Sequence, residues 1–257
     1  MRSGHKLEVS FHGVTLFAPG KETSYFSLPE DVFEGAVFDL PKIKVSSLVL
    51  VANTRKAVVR LADVSPENIS KSGVLRGDRW GFVQKTFPIG EKMNENTHIF
   101  DGNIFKNSNA GGLSRFFMTA LPVGICDVMA RIGIMLSGSI HKVKRLDTIE
   151  HILFRKYVFA ADKNDSLFIF LPQSGGLRVL NIYENLPNTA FFISNNPAVR
   201  DNEFLRFYNS LGEKEGVRKK AILLNHEHDT AQNWQWVYDV LSRNNFEVSE
   251  KMLKLCD

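Results

Sequence analysis

The amino-acid sequence predicts a mixed α/β fold whose two parts are built differently. Within about the first 60 residues, short β-branched runs are separated by turn signals, which is typical of paired strands. Beyond residue 112, strand-like apolar runs alternate with segments whose apolar residues recur at three- and four-residue steps, which is typical of helices packed on a sheet. A Gly-Gly turn between two further apolar runs adds a hairpin at Ser166 to Tyr183. We therefore expect a β-rich N-terminal part and a C-terminal part of alternating strands and helices.

In the N-terminal part, Leu7 to Phe11 and Val14 to Phe17 flank the tight-turn signal His12-Gly13 and predict a hairpin. The runs Val45 to Ala52 and Lys56 to Ala62 are separated by a short polar connection and predict a second strand pair. The stretch Asn107 to Gly112 is rich in Asn, Ser and Gly, which favours a connection between subdomains. The sequence therefore predicts a β-rich subdomain at 1–112 and an α/β subdomain with a mixed sheet at 113–257.

Helices of the C-terminal part are marked by their caps and apolar stripes. Pro122 follows a strand-like run and begins a helix whose core stripe includes Cys126. Asp147 is expected to cap the next helix, with Glu150 completing a capping box. Pro197 opens a third helix, and Asp229 or Thr230 caps the last.

Composition narrows the class of protein. The 257 residues carry a formal charge of +4, and the basic residues are scattered without the aromatic pattern of an RNA-binding module, so nucleic acid is not expected as a partner. The two cysteines lie far apart, which fits a reducing compartment. No apolar run approaches the length of a membrane span. Most of the 20 Phe residues are expected inside, because Phe has no polar tip to place in water.

One polar cluster invites a metal. His226-Glu227-His228-Asp229 places two imidazoles two residues apart, but zinc needs three or four ligands and no further partner is marked. A polar loop that leads into a helix explains the cluster better. No nucleophile elbow, HExxH motif or Walker phosphate loop occurs. We therefore expect no catalytic residue, no metal and no cofactor.

Four stretches carry a resemblance to a known family: Val9 to Leu16, Leu28 to Asp39, Ala120-Leu121-Pro122-Val123 with the helix that follows, and Ala221 to Asn225 with Phe246-Glu247-Val248. In their order along the chain and their pattern of residue types, they resemble the actin-like proteins of bacterial type IV pilus and type II secretion machines. These are the PilM-type proteins and the cytoplasmic domains of GspL-type proteins. The resemblance implies two actin-like, ribonuclease-H-like lobes.

The resemblance also implies two phosphate hairpins, and here both depart from the family. Their positions are held by His12 and Gly13, and by Ser174, Gly175 and Gly176. A Gly-rich hairpin can present backbone N–H groups to a phosphate, but nucleotide-binding relatives also carry an Asp in each hairpin. This chain has no Asp in either, so we expect vestigial hairpins without negative charge and weak or no ATP binding. Taken alone, the second one is better explained as an ordinary β-hairpin with a Gly-Gly turn.

The function implied is that of a non-enzymatic scaffold at the cytoplasmic face of the inner membrane. Its partners would be an inner-membrane platform protein and the motor ATPase of a pilus or secretion machine, with a homodimer as a further option. Membrane association would be indirect or through an anchor beyond the tail Glu250 to Cys256. Two alternatives stay open: an ATP-dependent small-molecule kinase of the same superfold, and an unrelated α+β effector or immunity protein.

Overall fold

The computed structural model describes residues 5–10, 13–29, 32, 38–65, 93–94, 96–106, 114–162, 164–173, 175–211, 216–226 and 234–256. Within these residues the chain forms three β-sheets and four α-helices. The strands are β1 (His5–Ser10), β2 (Gly13–Phe17), β3 (Ser24–Ser27), β4 (Leu48–Asn53), β5 (Val58–Val64), β6 (His98–Lys106), β7 (Ser114–Pro122), β8 (Val143–Thr148), β9 (Asp165–Gln173), β10 (Gly176–Tyr183), β11 (Leu186–Ser194), β12 (Arg218–Asn225) and β13 (Phe246–Met252). The helices are α1 (Val123–Ser137), α2 (Ile149–Tyr157), α3 (Pro197–Ser210) and α4 (Gln235–Arg243), with a 3-10 turn at Ile140–Lys142.

Two five-stranded sheets have the same strand order and the same strand directions. The order is β3-β2-β1-β4-β8 in the first sheet and β11-β10-β9-β12-β13 in the second. In each sheet, the first three strands in the chain form an antiparallel meander, β1-β2-β3 or β9-β10-β11. Two further strands are added in parallel on the free side of β1 or β9. We call the first sheet with α1 lobe 1, and the second with α3 and α4 lobe 2. The expected pair of like lobes is therefore present.

A third sheet, here called the inserted sheet, has the order β5-β7-β6 and lies in sequence between β4 and α1. The predicted pairing of the runs at 45–52 and 56–62 is wrong, because β4 pairs with β1 and β8 while β5 pairs with β7. The reason is that β4 is apolar on both faces. Leu50 packs toward α1, and Val51 packs toward the other lobe. Such a strand belongs in the middle of a parallel arrangement.

Three layers of core follow from the alternation of side chains along the strands. One lies between the lobe 1 sheet and α1, and includes Met129 and Ile132. A second lies between the lobes around α2, and a third lies between the lobe 2 sheet and helices α3 and α4. In β9, Ile169 faces the middle core and Phe168 faces the third. Phe168 is fully buried, as expected for Phe in this chain, and Cys126 is buried on α1 as predicted.

The start of α2 differs from the prediction by one residue. Thr148, not Asp147, is the N-cap, and its hydroxyl accepts a hydrogen bond from the His151 N–H. Asp147 instead lies within β8, one residue before its end, and Glu150 is buried against a positive charge described below. The capping box is therefore wrong, because Thr148 takes the cap and leaves both acids for other contacts. The start of α3 at Pro197 is confirmed, with Asn196 as its cap.

Sheet pairing crosses the predicted boundary at residue 112. β7 pairs with β5 and β6, and β8 joins the lobe 1 sheet. The division into subdomains at 1–112 and 113–257 stays a prediction. The stretch 107–112 itself lies outside the described residues. The tail Glu250 to Cys256 packs on the rest of the chain. β13 runs to Met252, and Leu253 and Leu255 are buried in the middle core. Among the described helices, none has the length and apolar character needed to span a bilayer.

Candidate functional site

Both hairpins predicted at the phosphate positions are present, joining β1 to β2 and β9 to β10. Their glycines are required by the fold itself. A Cβ at Gly13 would lie 2.6 Å from the carbonyl oxygen of Phe26 in β3, and a Cβ at Gly176 would lie 2.0 Å from that of Ile193 in β11. In both lobes the third strand thus approaches too closely for any side chain. These glycines are explained without a phosphate.

The remaining hairpin residues give a partial picture. Gly175 has a φ of +74°, a left-handed conformation that favours glycine, and the Arg55 guanidinium lies 3.3 Å from where its Cβ would be. His12 and Ser174 lie outside the described residues. The proposal that these five positions are remnants of a phosphate site therefore stays a prediction.

A chain of hydrogen-bonded polar side chains connects the two hairpins. The Asn53 amide at the end of β4 donates to the Glu8 carboxylate of β1 over 2.7 Å. The Gln173 amide at the end of β9 donates in turn to Asn53 Oδ1 over 2.9 Å. Gln173 lies in the hairpin where the resemblance implies an Asp, and its amide connects lobe 2 to lobe 1. Side chains of the protein itself therefore join the lobes at this point.

Glu8 corrects the expectation that both hairpins lack negative charge. Its side chain is 1% exposed, and its second carboxylate oxygen lies 3.6 Å from His226 Nδ1 at the end of β12. The resemblance implies an Asp in this hairpin, and Glu8 is a different acid. A single Glu between the apolar residues Leu7 and Val9 was the available signal. An acid at such a position must be buried with polar partners.

A buried ion pair lies beside this chain. Arg178 of β10 places its Nε 3.0 Å from Glu150 Oε1 of α2, with side-chain exposures of 7% and 0%. Arg178 also donates to the carbonyl oxygen of Ala57, which follows the turn after β4. Burial raises the pKa of Glu150, and the charge of Arg178 opposes that rise. The pair connects the hairpin of lobe 2 to α2 and to lobe 1.

A separate groove of about 880 Å³ runs between the inserted sheet and lobe 1. One wall is β6, from Ile99 to Ile104, and the facing wall is formed by β8 and α1. Both β6 and β8 are end strands of their sheets within the part of the chain that the structure describes. End strands carry unpaired backbone N–H and C=O groups, which can bind a further extended segment. The groove thus has the features of a strand-addition site.

Charged residues gather at one end of the groove. Arg145 of β8 lies 3.1 Å from Asp101 of β6 and 3.2 Å from Asp147, so it bridges the two walls. His151 Nδ1 lies 2.7 Å from Asp147. Asp101, Asp147 and His151 are close enough together to be considered as metal ligands. However, the Arg145 guanidinium already supplies positive charge to both carboxylates, so the geometry favours an ion-pair cluster.

The rest of the groove is mainly uncharged. Leu50, Leu121 and Phe116 contribute apolar surface, and Cys126 lines it from α1. Burial raises the pKa of the Cys126 thiol to about 11, with a smaller contribution from Asp127. The thiol is therefore neutral near pH 7. The groove offers apolar contact, backbone hydrogen bonding and a charged end, which suits a polypeptide.

The sequence could not locate this groove, because its walls come from separate segments of the chain, 99–104 on one side and 126–130 with 143–148 on the other. The sequence cluster His226-Glu227-His228-Asp229 was explained as a polar loop and not as a metal site. Its His226 lies 3.6 Å from Glu8, while Glu227, His228 and Asp229 lie outside the described residues.

Comparisons with known proteins identify the fold. No protein-family model and no curated protein matches the sequence. Among solved structures, a protein from Bacteroides thetaiotaomicron with an actin-like ATPase fold and unknown function has a TM-score of 0.58 at 9% identity, over 95% of this chain and 90% of that one. The PilM-PilN type IV pilus biogenesis complex has a TM-score of 0.59 at 9% identity, over 98% of this chain and 88% of that one.

A third structure is the cytoplasmic domain of EpsL, an inner membrane component of the type II secretion system of Vibrio cholerae. It is 9% identical over 95% of this chain and 89% of that one, and its TM-score of 0.42 is too low to support a likeness in fold. The other two structures, together with the two like sheets, confirm the predicted actin-like fold and the structural resemblance to PilM-type proteins.

Proposed function

We propose that this protein is a non-enzymatic docking scaffold of a type IV pilus or type II secretion machine. It would lie at the cytoplasmic face of the inner membrane and connect a membrane platform protein to the motor ATPase. The observation that carries the proposal is the groove of about 880 Å³ that is lined by β6 and β8, which are end strands of their sheets among the described residues. A PilM protein of like fold is found in complex with PilN, which supports a role in protein binding.

In this proposal an extended segment of the platform protein binds in the groove. Its backbone pairs with the edge of β6, and its apolar side chains contact Leu121 and Phe116. A basic or acidic residue of the segment reaches the ion-pair cluster around Arg145. Other surfaces remain for the motor ATPase.

Crosslinking at a defined position tests the site. Ile99 lines the groove and is 48% exposed, while Leu205 on α3 is 47% exposed and lies in lobe 2. A photoreactive amino acid is placed at one position or the other in the native host, and the products are identified by mass spectrometry. We expect a membrane protein to be captured at position 99 and not at position 205.

A groove-filling variant is the companion test. Ala130→Trp on α1 fills the groove, and Leu205→Trp makes the matched change on lobe 2. We expect the crosslink at position 99 to disappear with Ala130→Trp and to persist with Leu205→Trp. Capture that is equal at both positions, or that survives Ala130→Trp, would contradict the proposal.

The kinase alternative has one observation in its favour, the buried acid Glu8 near the hairpins. Against it, one oxygen of Glu8 already accepts from Asn53, and the hairpin of lobe 2 presents Gln173. A thermal-shift scan with Mg·ATP separates the two functions, because a ligand that binds the folded state raises the melting temperature. We expect no rise, and a rise of several degrees at millimolar nucleotide would favour the kinase.

A further inference from the structure

Two short stretches of lobe 1 share one pattern, an apolar residue between two lysines. They are Lys42-Ile43-Lys44, before β4, and Lys142-Val143-Lys144, at the start of β8. The middle residue of each stretch packs against the lobe 1 core. The flanking lysines are exposed, except Lys142, which is half-buried. Folding therefore leaves lysines of both stretches at the surface of lobe 1.

The two stretches meet at the C-terminal end of α1. The Ile43 N–H donates to the carbonyl oxygen of Leu136 over 2.8 Å. Lys142 Nζ donates to the carbonyl oxygen of the next residue, Ser137, over 3.0 Å. Because these two carbonyl groups are consecutive on one helix, the lysines of both stretches gather at one end of the lobe.

An exposed apolar side chain lies among these lysines. Ile140 is 49% exposed, and it belongs to the 3-10 turn that also contains Lys142. Its carbonyl oxygen accepts from the Val143 N–H, which fixes the turn to the second stretch. We call Lys42, Lys44, Ile140, Lys142 and Lys144 the basic surface of lobe 1.

The lysines of the basic surface keep most of their charge free. Lys42, Lys44 and Lys144 form no ion pair with any of the described residues. Lys142 is bonded to a backbone carbonyl and is not counted with them. Asp39 lies three residues before Lys42, and its carboxylate accepts from the N–H of the next residue over 3.0 Å. Counted against the three unpaired lysines, this one acid leaves the basic surface positive.

Other acids of lobe 1 are paired or distant from the basic surface. Asp147 lies 3.2 Å from Arg145. Asp127 precedes the end of α1 by about 15 Å along the helix axis. Glu22 lies in the turn after β2, and β2 is separated from β8 by three strand spacings, about 14 Å.

Edge protection explains only part of this arrangement. A lysine on an end strand discourages pairing with a second sheet, and Lys144 lies on the end strand β8. Lys42 and Lys44, however, precede β4 and belong to no strand. Their charge is therefore not accounted for by protection of an edge.

We propose that the basic surface docks lobe 1 on an anionic lipid bilayer. The lysine stems cross apolar surface while their ammonium groups reach the lipid phosphates. Ile140 enters the boundary between head groups and acyl chains.

The position of the groove favours a bilayer over an acidic protein. Val143, between two lysines of the basic surface, also lines the groove, so the two surfaces are continuous. This choice rests on the proposed function: a segment of an inner-membrane protein bound in the groove holds this end of lobe 1 near the membrane.

Flotation of the full chain with lipid vesicles tests the proposal. One set of vesicles contains phosphatidylglycerol and phosphatidylcholine, and the other contains phosphatidylcholine alone. We expect binding to the anionic vesicles at low salt, weaker binding at about 0.5 M salt, and none to the neutral vesicles.

Two matched double variants locate the contact. Lys42→Gln with Lys44→Gln lowers the partition coefficient about twenty-five-fold, since each basic residue near an anionic surface contributes about fivefold. Lys56→Gln with Arg206→Gln makes the same charge change at two exposed residues, one after the opposite end of β4 and one on α3 of lobe 2. We expect this control to lower the coefficient less than about threefold.

A second comparison tests the apolar contact. Ile140→Ser lowers the partition coefficient about fivefold, because about half of the side chain is available for burial in the bilayer. Leu205 on α3 has a similar exposure of 47%, and Leu205→Ser leaves the coefficient unchanged.

Three results would overturn the proposal: no binding to anionic vesicles, equal losses from the two double variants, or equal binding to neutral vesicles. Binding of polyglutamate without binding of vesicles would assign the basic surface to an acidic polypeptide and would also overturn it. Capture of a membrane protein at position 99 without vesicle binding contradicts the bilayer contact alone. Vesicle binding without that capture contradicts the scaffold function alone.

Discussion

The space between the two hairpins and the groove beside the inserted sheet differ in what fills them. Between the hairpins, hydrogen bonds of the chain link Glu8, Asn53 and Gln173, and the ion pair of Arg178 lies beside them. The groove is lined by β6 and β8, each of which has a partner strand on one side only among the described residues. The first region is organised to hold two lobes together. The second is organised to accept something from outside.

The largest expected effect tests whether the region between the hairpins is held by its own charges. Arg178→Met leaves the buried Glu150 without its positive partner, which costs about 3–5 kcal/mol of unfolding free energy at pH 7. The loss shrinks as pH falls. Burial raises the pKa of Glu150, so charging this carboxyl costs more in the folded protein than in the unfolded one, and that penalty is present above the unfolded pKa and absent below it.

Denaturant unfolding at pH 7 and near pH 4 measures this effect. The control is Arg178→Met combined with Glu150→Gln, which removes the buried charge and recovers most of the lost stability. A loss that is equal at both pH values, or a double variant as unstable as the single one, would show that the pair does not hold this region.

The next effect tests whether the hairpin glycines are required by strand packing or by the approach of a ligand. Gly176→Ala places a methyl group 2.0 Å from the carbonyl oxygen of Ile193, and Gly13→Ala places one 2.6 Å from that of Phe26. Because backbone must move in both cases, we expect losses of about 2–3 kcal/mol, with Gly176→Ala the more severe. Thermal unfolding of both variants gives the answer. If both unfold like the parent protein, the third strands do not require these glycines, and a role in ligand approach becomes the better explanation.

A smaller effect tests the link between the lobes. Gln173→Leu keeps the side-chain volume but leaves Asn53 Oδ1 without its donor, which costs about 1–2 kcal/mol. The matched control is Gln235→Leu on α4, where an exposed amide donates to Asp239 and its loss changes little. Hydrogen exchange of β1 and β9 in the two variants reports whether the lobes loosen. Equal behaviour of the two variants would mean that the Asn53–Gln173 bond is not a tie.

The sequence predicts local features of the fold better than contacts between segments that are distant in the chain. The hairpins, the stripe of α1 and the start of α3 followed from residues within one or two turns of each other. The partners of β4 did not, because a short connection favours a hairpin while burial on both faces requires strands that come from elsewhere. The N-cap of α2 is Thr148, one residue after the predicted Asp147. Asp147 can therefore contact Arg145 in the groove, and Glu150 can pair with Arg178. The groove depends on all of these distant pairings.

The smallest expected effect tests whether the groove is the looser of the two regions. Asp101→Asn removes the partially exposed partner of Arg145 at the charged end of the groove. Because Asp101 is 42% exposed on its side chain and Arg145 keeps Asp147, we expect a loss below about 0.5 kcal/mol. The amides of β6 should nevertheless exchange faster, since the bridge between the groove walls is gone. A loss comparable with that of Arg178→Met would mean that the groove walls are as firmly joined as the lobes, and an opening for a partner segment would then have to be found elsewhere.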